Sequence, residues 1–262
     1  MPYVECFRRL RDAGLEGMDI RLGDEVKLAS TPEQLKRLAE EARKAGVTIV
    51  SMYVAEGVND NPLNHPSADV RAKGVAAMEK AVEIATYLDR CPLLIVPGRL
   101  GSGARFQVGY QDTWDRCTAA FRKVVPRAAE ARVVIGPENS WSKFLVSPLE
   151  MRAFVDQFKS PWVATQFDTG NVMQFGYPQD WILTLGPRIR RLHVKDYKLS
   201  ERYEQGRFVG LMEGDVDWKE VMAALVKIGY RGFVSPEIGH DPNDADQLKK
   251  VSRTLDKILA LA

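Results

Sequence analysis

Four side chains able to hold a metal ion stand at the ends of successive Val- and Ile-rich segments. They are Glu138 in IGPEN, Asp168 in FDTGN, His193 in LHVKD and Glu237 in SPEIG. The intervals between them are 30, 25 and 44 residues. The first two equal one strand–helix unit each, and the third is a unit lengthened by a loop over 197–214. Three carboxylates and one imidazole form an oxygen-rich donor set. It suits Mn²⁺ first, with Mg²⁺, Co²⁺ or Zn²⁺ as alternatives. Such an ion can chelate a keto oxygen and a neighbouring hydroxyl, polarise the carbonyl and acidify the adjacent C–H. One carboxylate at a strand end is more often a cap than a catalyst. Four in consecutive units are hard to produce by chance, so a metal site is expected.

Other residues form a second tier. Lys195 follows His193 by two, and strand alternation points both side chains to one face. It is therefore expected to enter the pocket and hold a phosphate or an oxyanion. His240 follows Glu237 by three and is expected at the rim. Trp141 and Phe144 follow Glu138 as candidate walls for a substrate. Arg99 and Arg105 flank the turn Gly101-Ser102-Gly103, a weak anion cradle. His65 in NPLNHPS falls on a loop at the same mouth, although a capping role suits it better. Asp196 is expected to point outward or to pair with a neighbouring base. Glu213, Asp215 and Asp217 would repel a phosphate near the helix start they precede, so no phosphate site is assigned there.

The elements that would position these groups alternate along the chain. Strands are expected at 15–22, 47–54, 93–96, 133–135, 162–167, 189–194 and 233–235. Helices are expected at 3–11, 31–46, 69–90, 114–131, 147–158, 178–185, 217–228 and 244–261. Leu35, Leu38, Ala39 and Ala42 give the second helix an apolar stripe of period near 3.6. Thr31 or Ser30 caps it, Pro32 opens it and Gly46 stops it. Pro126 is expected to kink or divide its helix. Repeated strand–helix units imply a parallel sheet covered by helices. The pattern fits a (β/α)8 barrel with its first strand missing from this chain, because the sequence opens on a helix. A doubly wound open sheet is disfavoured, since no GxGxxG follows the first strand. In a β/α barrel, residues at the C-terminal strand ends share one mouth, so the four donors can converge.

Length and composition agree with one barrel domain over 1–262. The chain is 45% hydrophobic and 27% charged, as expected for a globular core. A net charge of +2 provides no field for nucleic acid. Three widely spaced cysteines, Cys6, Cys91 and Cys117, argue for packed thiols rather than a disulfide framework. No apolar stretch reaches membrane-spanning length and no signal pattern opens the chain. A cytoplasmic protein is expected, and an uncovered barrel edge would favour a homo-oligomer.

The motifs PENSWSKFLVSPLEM, FDTGNVMQFGYPQDWI, HVKDYK, GDVDW and SPEIG carry a resemblance over nearly the whole chain. The sequence resembles the xylose isomerase-like TIM-barrel superfamily of sugar phosphate isomerases and epimerases. The resemblance implies that Glu138, Asp168, His193 and Glu237 bind a divalent metal. It also implies that Glu138 and Glu237 move protons on opposite faces of one substrate carbon, through a cis-enediolate held on the metal. The expected activity is that of a ketose (or ketose-phosphate) 3-epimerase. A lyase acting on a 3-keto-glycoside and a non-catalytic binding barrel are the alternatives. Many relatives carry a His three residues after the Asp; here that position is Asn171, taken as a substrate contact. The AP-endonuclease relatives need more histidines than His65, His193 and His240, so nuclease activity is not expected.

Overall fold

The structure is a computed structural model that describes residues 1–100, 107–200, 205–239, 241, 244 and 246–262. The chain opens on helix α1 (Tyr3–Asp12) and then alternates: β1 (Gly17–Leu22), α2 (Pro32–Lys44), β2 (Thr48–Val54), α3 (Ala68–Tyr87), β3 (Leu93–Ile95), α4 (Tyr110–Ala131) and β4 (Ile135–Pro137). It continues with α5 (Pro148–Asp156), β5 (Thr165–Asp168), α6 (Pro178–Leu185), β6 (Ile189–Val194), a hairpin of β7 (Asp196–Lys198) and β8 (Arg207–Val209), then α7 (Trp218–Lys227), β9 (Val234–Pro236) and α8 (Gln247–Leu259).

Strands β1 to β4 pair in parallel in chain order, as do β5, β6 and β9. Two parallel bridges, Ile135–Val163 and Glu138–Gln166, join β4 to β5. The result is an arc of seven parallel strands in barrel order, clothed by the helices. Among the described residues no ladder bonds join β9 to β1, so the ring is not closed there. Side chains bridge this seam instead. Arg191 of β6 lies 5.9 Å from the Phe233 ring, and its Nε donates to the Val50 carbonyl at 2.9 Å. That carbonyl belongs to the extra residue of β2 at a register shift opposite Met18 and Asp19. The bulge takes it off the ladder, and Arg191 supplies the donor a buried C=O needs.

Local chemistry explains the helix starts. Thr31 and Gln34 form a reciprocal capping box on α2, with Pro32 behind the cap. Gly46 sits at φ +70° just past the end of α2, as a left-handed stop requires. Ser147 caps α5 and Asp217 caps α7. Pro126 lies inside α4 without dividing it. Cys91 and Cys117 are buried among apolar side chains, and burial pushes the Cys91 thiol up to about 12. None of the three cysteines is paired. No helix among the described residues is long and apolar enough to cross a membrane.

Two expectations change. The short strands β4, β5 and β9 start one to three residues later than the apolar runs suggest, because the ladder forms where neighbours align rather than where hydrophobicity begins. The loop after β6 is not plain coil: its flanks pair as the antiparallel hairpin β7–β8.

Candidate active site

Each of the four expected donors is carried to the mouth by its own strand. Asp168 and His193 are direct register partners on β5 and β6. Glu138 follows β4, its N–H donating to the Ile95 carbonyl of β3 at 3.0 Å. Glu237 follows β9, its N–H donating to the Val194 carbonyl of β6 at 3.0 Å. One donor atom from each of the four lies within 4.8 Å of all the others. The Nδ1 of His193 is 3.2 Å from a carboxylate oxygen of Glu138 and 3.2 Å from one of Glu237. Glu138, Asp168 and His193 are buried, while the Glu237 side chain is 48% exposed and faces the cleft.

The electrostatics are those of charges gathered before a counter-ion arrives. Burial, reinforced by the neighbouring Glu138 and Glu237, pushes the Asp168 carboxyl up to about 7 against the pull of Lys195. Burial alone would discharge the His193 ring, but Asp19, Glu138 and Glu237 hold its pKa well above the usual value. Burial would raise the Glu237 carboxyl, yet His193 and Lys195 draw it down to about 2. Asp168 Oδ2 is buried and has no hydrogen-bond partner; the nearest cation is the Lys195 ammonium at 3.4 Å. Such an orphaned oxygen, within reach of three other hard or borderline donors, is what a divalent cation would satisfy. The residues present therefore fit a divalent metal.

The second-tier residues divide. Lys195 does enter the site, with its ammonium 2.8 Å from Glu237 Oε1 and 4.8 Å from the Phe208 ring centroid. Burial would lower its pKa, but the carboxylates of Asp168 and Glu237 raise it. Asn171 is buried against Asp168: its N–H donates to Asp168 Oδ1 at 2.7 Å and its side chain donates to the Asn139 carbonyl. Trp141 is 43% exposed, donates its indole N–H to the Asn171 carbonyl and packs at a tilt against Phe208, with ring centroids 4.9 Å apart. Together Trp141 and Phe208 wall one side of the mouth. Beside them runs an open cleft of about 810 Å³ lined by Lys195, Phe208, Leu211, Glu237 and Ile238.

Others go elsewhere. Phe144 is buried against Tyr110, Trp114 and Phe154, in the core rather than at the mouth. The Nδ1 of His65 accepts the N–H of Ser67 at the start of α3, a helix-entry contact. Arg99 is exposed, and it is its carbonyl that Asn64 engages. His240, Arg105 and the turn Gly101-Ser102-Gly103 lie outside the described residues. Asp196 turns inward, fully buried, and accepts from the N–H groups of Tyr197, Gly214 and Val216 and from the Trp218 indole. A side chain at Gly214 would collide with that carboxylate.

Sequence reasoning missed four polar residues that the structure places in or beneath the site. Asn139 makes two bonds to the backbone of Asp168, at 2.9 and 2.8 Å, and so locks the ends of β4 and β5 together. Gln166 touches the far side of the His193 ring at 2.7 Å. Asp19 stands 3.8 Å from the same ring nitrogen and accepts from Ser51 at 2.5 Å. Ser235 of β9 is the register partner of His193. The missed signal is period-2 alternation. Stepping back two residues from Asp168 and Glu237 lands on Gln166 and Ser235, both on the barrel's inner face.

Fold and site together define a parallel β/α barrel with a carboxylate–imidazole cluster at its C-terminal mouth. The chain belongs to the Xylose isomerase-like TIM barrel family, whose profile matches residues 7–258. It is 25% identical over 230 residues to the "Putative L-ribulose-5-phosphate 3-epimerase SgbU" of Haemophilus influenzae, spanning 85% of this chain and 77% of that one. Among solved structures, an L-ribulose 3-epimerase superposes with a TM-score of 0.80 at 18% identity, over 98% of this chain and 89% of the other. The D-psicose 3-epimerase of Clostridium cellulolyticum H10, solved with D-tagatose, superposes at 0.78 and 19% identity, over 100% and 94%.

Proposed function

We propose that this protein is a divalent-metal-dependent isomerase that inverts C3 of a ketose or ketose phosphate. One observation carries the reading: Glu138 and Glu237, from the two ends of the β4–β5–β6–β9 arc, reach the same point as Asp168 and His193. Glu138, Asp168, His193 and Glu237 would hold the ion, Mn²⁺ by preference. When bound, the ion polarises the substrate carbonyl and offsets negative charge on its oxygen.

The protein's own groups do the rest. His193 and Lys195 keep Glu237 ionised, so it can take the proton from the carbon beside the carbonyl. A proton from solvent, relayed through Glu138 across the cluster, adds to the other face of that carbon, which inverts it, and the proton taken by Glu237 leaves to solvent. Trp141 and Phe208 offer flat apolar surface to the sugar's C–H face and exclude water from one side. The names of the similar proteins, a ribulose-phosphate and two free-ketose epimerases, support the substrate class. The unpaired thiols fit a cytoplasmic location.

The test has two steps. Protein stripped with chelator and reloaded with Mn²⁺ should hold about one ion per chain, and His193→Ala should lose it. Ketoses in deuterated water should then exchange their C3 hydrogen. Glu237→Gln should keep some metal yet stop this exchange. Exchange at the parent rate in that variant would remove Glu237 as the base.

A further inference from the structure

The cluster requires a particular form of His193. Its Nδ1 faces Glu138 and Glu237, so an ion held by those carboxylates meets Nδ1. A neutral imidazole that offers Nδ1 to a metal carries its proton on Nε2. That N–H is buried and needs an acceptor, and the groups facing it come from two other strands. The Gln166 amide of β5 lies 2.7 Å away with its nitrogen toward the ring, while its oxygen is buried without any partner. Half a turn of the amide exchanges its two ends in the same space and brings the orphaned oxygen to Nε2. Behind it stands Asp19 of β1, with Oδ2 3.8 Å from Nε2 and Oδ1 fixed by the Ser51 hydroxyl. Its negative charge favours a proton on the Nε2 side of the ring.

We propose that Gln166 and Asp19 are positioning residues for His193: they hold the ring proton on Nε2 and so leave Nδ1 free to bind the ion. The Gln166 oxygen accepts from that N–H, and the Asp19 carboxylate stands behind it. This rests on the metal centre proposed above.

Metal affinity and ring tautomer test it without recourse to turnover. Gln166→Met fills the same space without an acceptor and should weaken Mn²⁺ binding about 10- to 100-fold by calorimetry. Gln166→Glu keeps an acceptor and should bind within about threefold of the parent, which separates lost hydrogen bonding from a disturbed fold. Asp19→Asn should cost less than Gln166→Met. Nitrogen NMR on histidine-labelled protein reads the tautomer directly, since the chain has only three histidines. Loaded with diamagnetic Zn²⁺, His193 should carry its proton on Nε2. The inference is overturned if Nδ1 keeps the proton in loaded protein, if Gln166→Met binds as tightly as the parent, or if Gln166→Glu is as weak as Gln166→Met. A parent protein that binds no ion overturns the metal centre and this inference with it.

Discussion

Asp168 is fully buried, and with its carboxyl near 7 it holds a proton through the weakly acidic range. His193 holds one to still higher pH. An ion entering the cluster must displace both, and the sign of the pH dependence follows. Below about pH 7 two protons must leave; above it, only the one on His193. Mn²⁺ affinity should therefore climb about 100-fold per pH unit below 7 and about tenfold per unit just above. Calorimetry in buffers of different ionisation enthalpy should count more protons released below pH 7 than above it. A pH-independent affinity would show that these two groups are not ligands. Lys195 belongs to the same scale. Its ammonium is spent on Glu237 and Asp168, not turned freely to the cleft. Replacing it with Met frees Glu237 to move, and a displaced base costs about 100-fold in kcat/KM. That loss should be about equal for a phosphorylated ketose and its free form. A loss confined to the phosphorylated sugar would make Lys195 a phosphate contact instead.

The hairpin β7–β8 and the turn after it form an element beyond the repeating units that shapes the mouth. Asp196 organises it. One carboxylate collects three backbone N–H groups and an indole N–H, and so fixes Tyr197, Gly214, Val216 and Trp218 in one arrangement. Phe208, on the far strand of the hairpin, is thereby held against Trp141 and under the Lys195 ammonium. Asp196→Ala would leave those buried donors without an acceptor. It should cost about 3 kcal/mol in urea unfolding and open the 205–217 segment to protease. If the variant unfolds within about 0.5 kcal/mol of the parent, the carboxylate is not the organiser. This element was poorly legible from sequence. The stretch 197–214 has neither helical nor strand periodicity, and the burial of Asp196 depends on donors up to 22 residues further on. By contrast, the caps at Thr31, Ser147 and Asp217 could be read directly, because a cap and its partner lie three residues apart.

At the scale of the whole molecule, the four donors come from four strands of one arc, and the seam between β9 and β1 is bridged by side chains rather than by a ladder. An ion bound there would tie β4, β5, β6 and β9 together and would bind only the folded chain. At a hundredfold excess over its dissociation constant it should add about 2.7 kcal/mol. That corresponds to roughly 5–10 °C in melting temperature, seen as a rise on Mn²⁺ addition and lost with chelator. No shift in the parent protein would mean that no ion bridges the arc.

The alternation of strands and helices, the caps, and the four donors at strand ends were all present in the sequence, because each depends on neighbours a few residues away or on a repeat of constant length. The sequence by itself thus determined a β/α barrel with Glu138, Asp168, His193 and Glu237 at one mouth. Tertiary structure alone decided which second-tier residues reach that mouth. Lys195, Asn171 and Trp141 do; Phe144 joins the core and His65 serves a helix start. It also decided that Gln166 and Asp19 meet the back of the His193 ring. Those contacts join residues 27 and 174 positions apart, and only the curvature of the barrel brings their inward faces together.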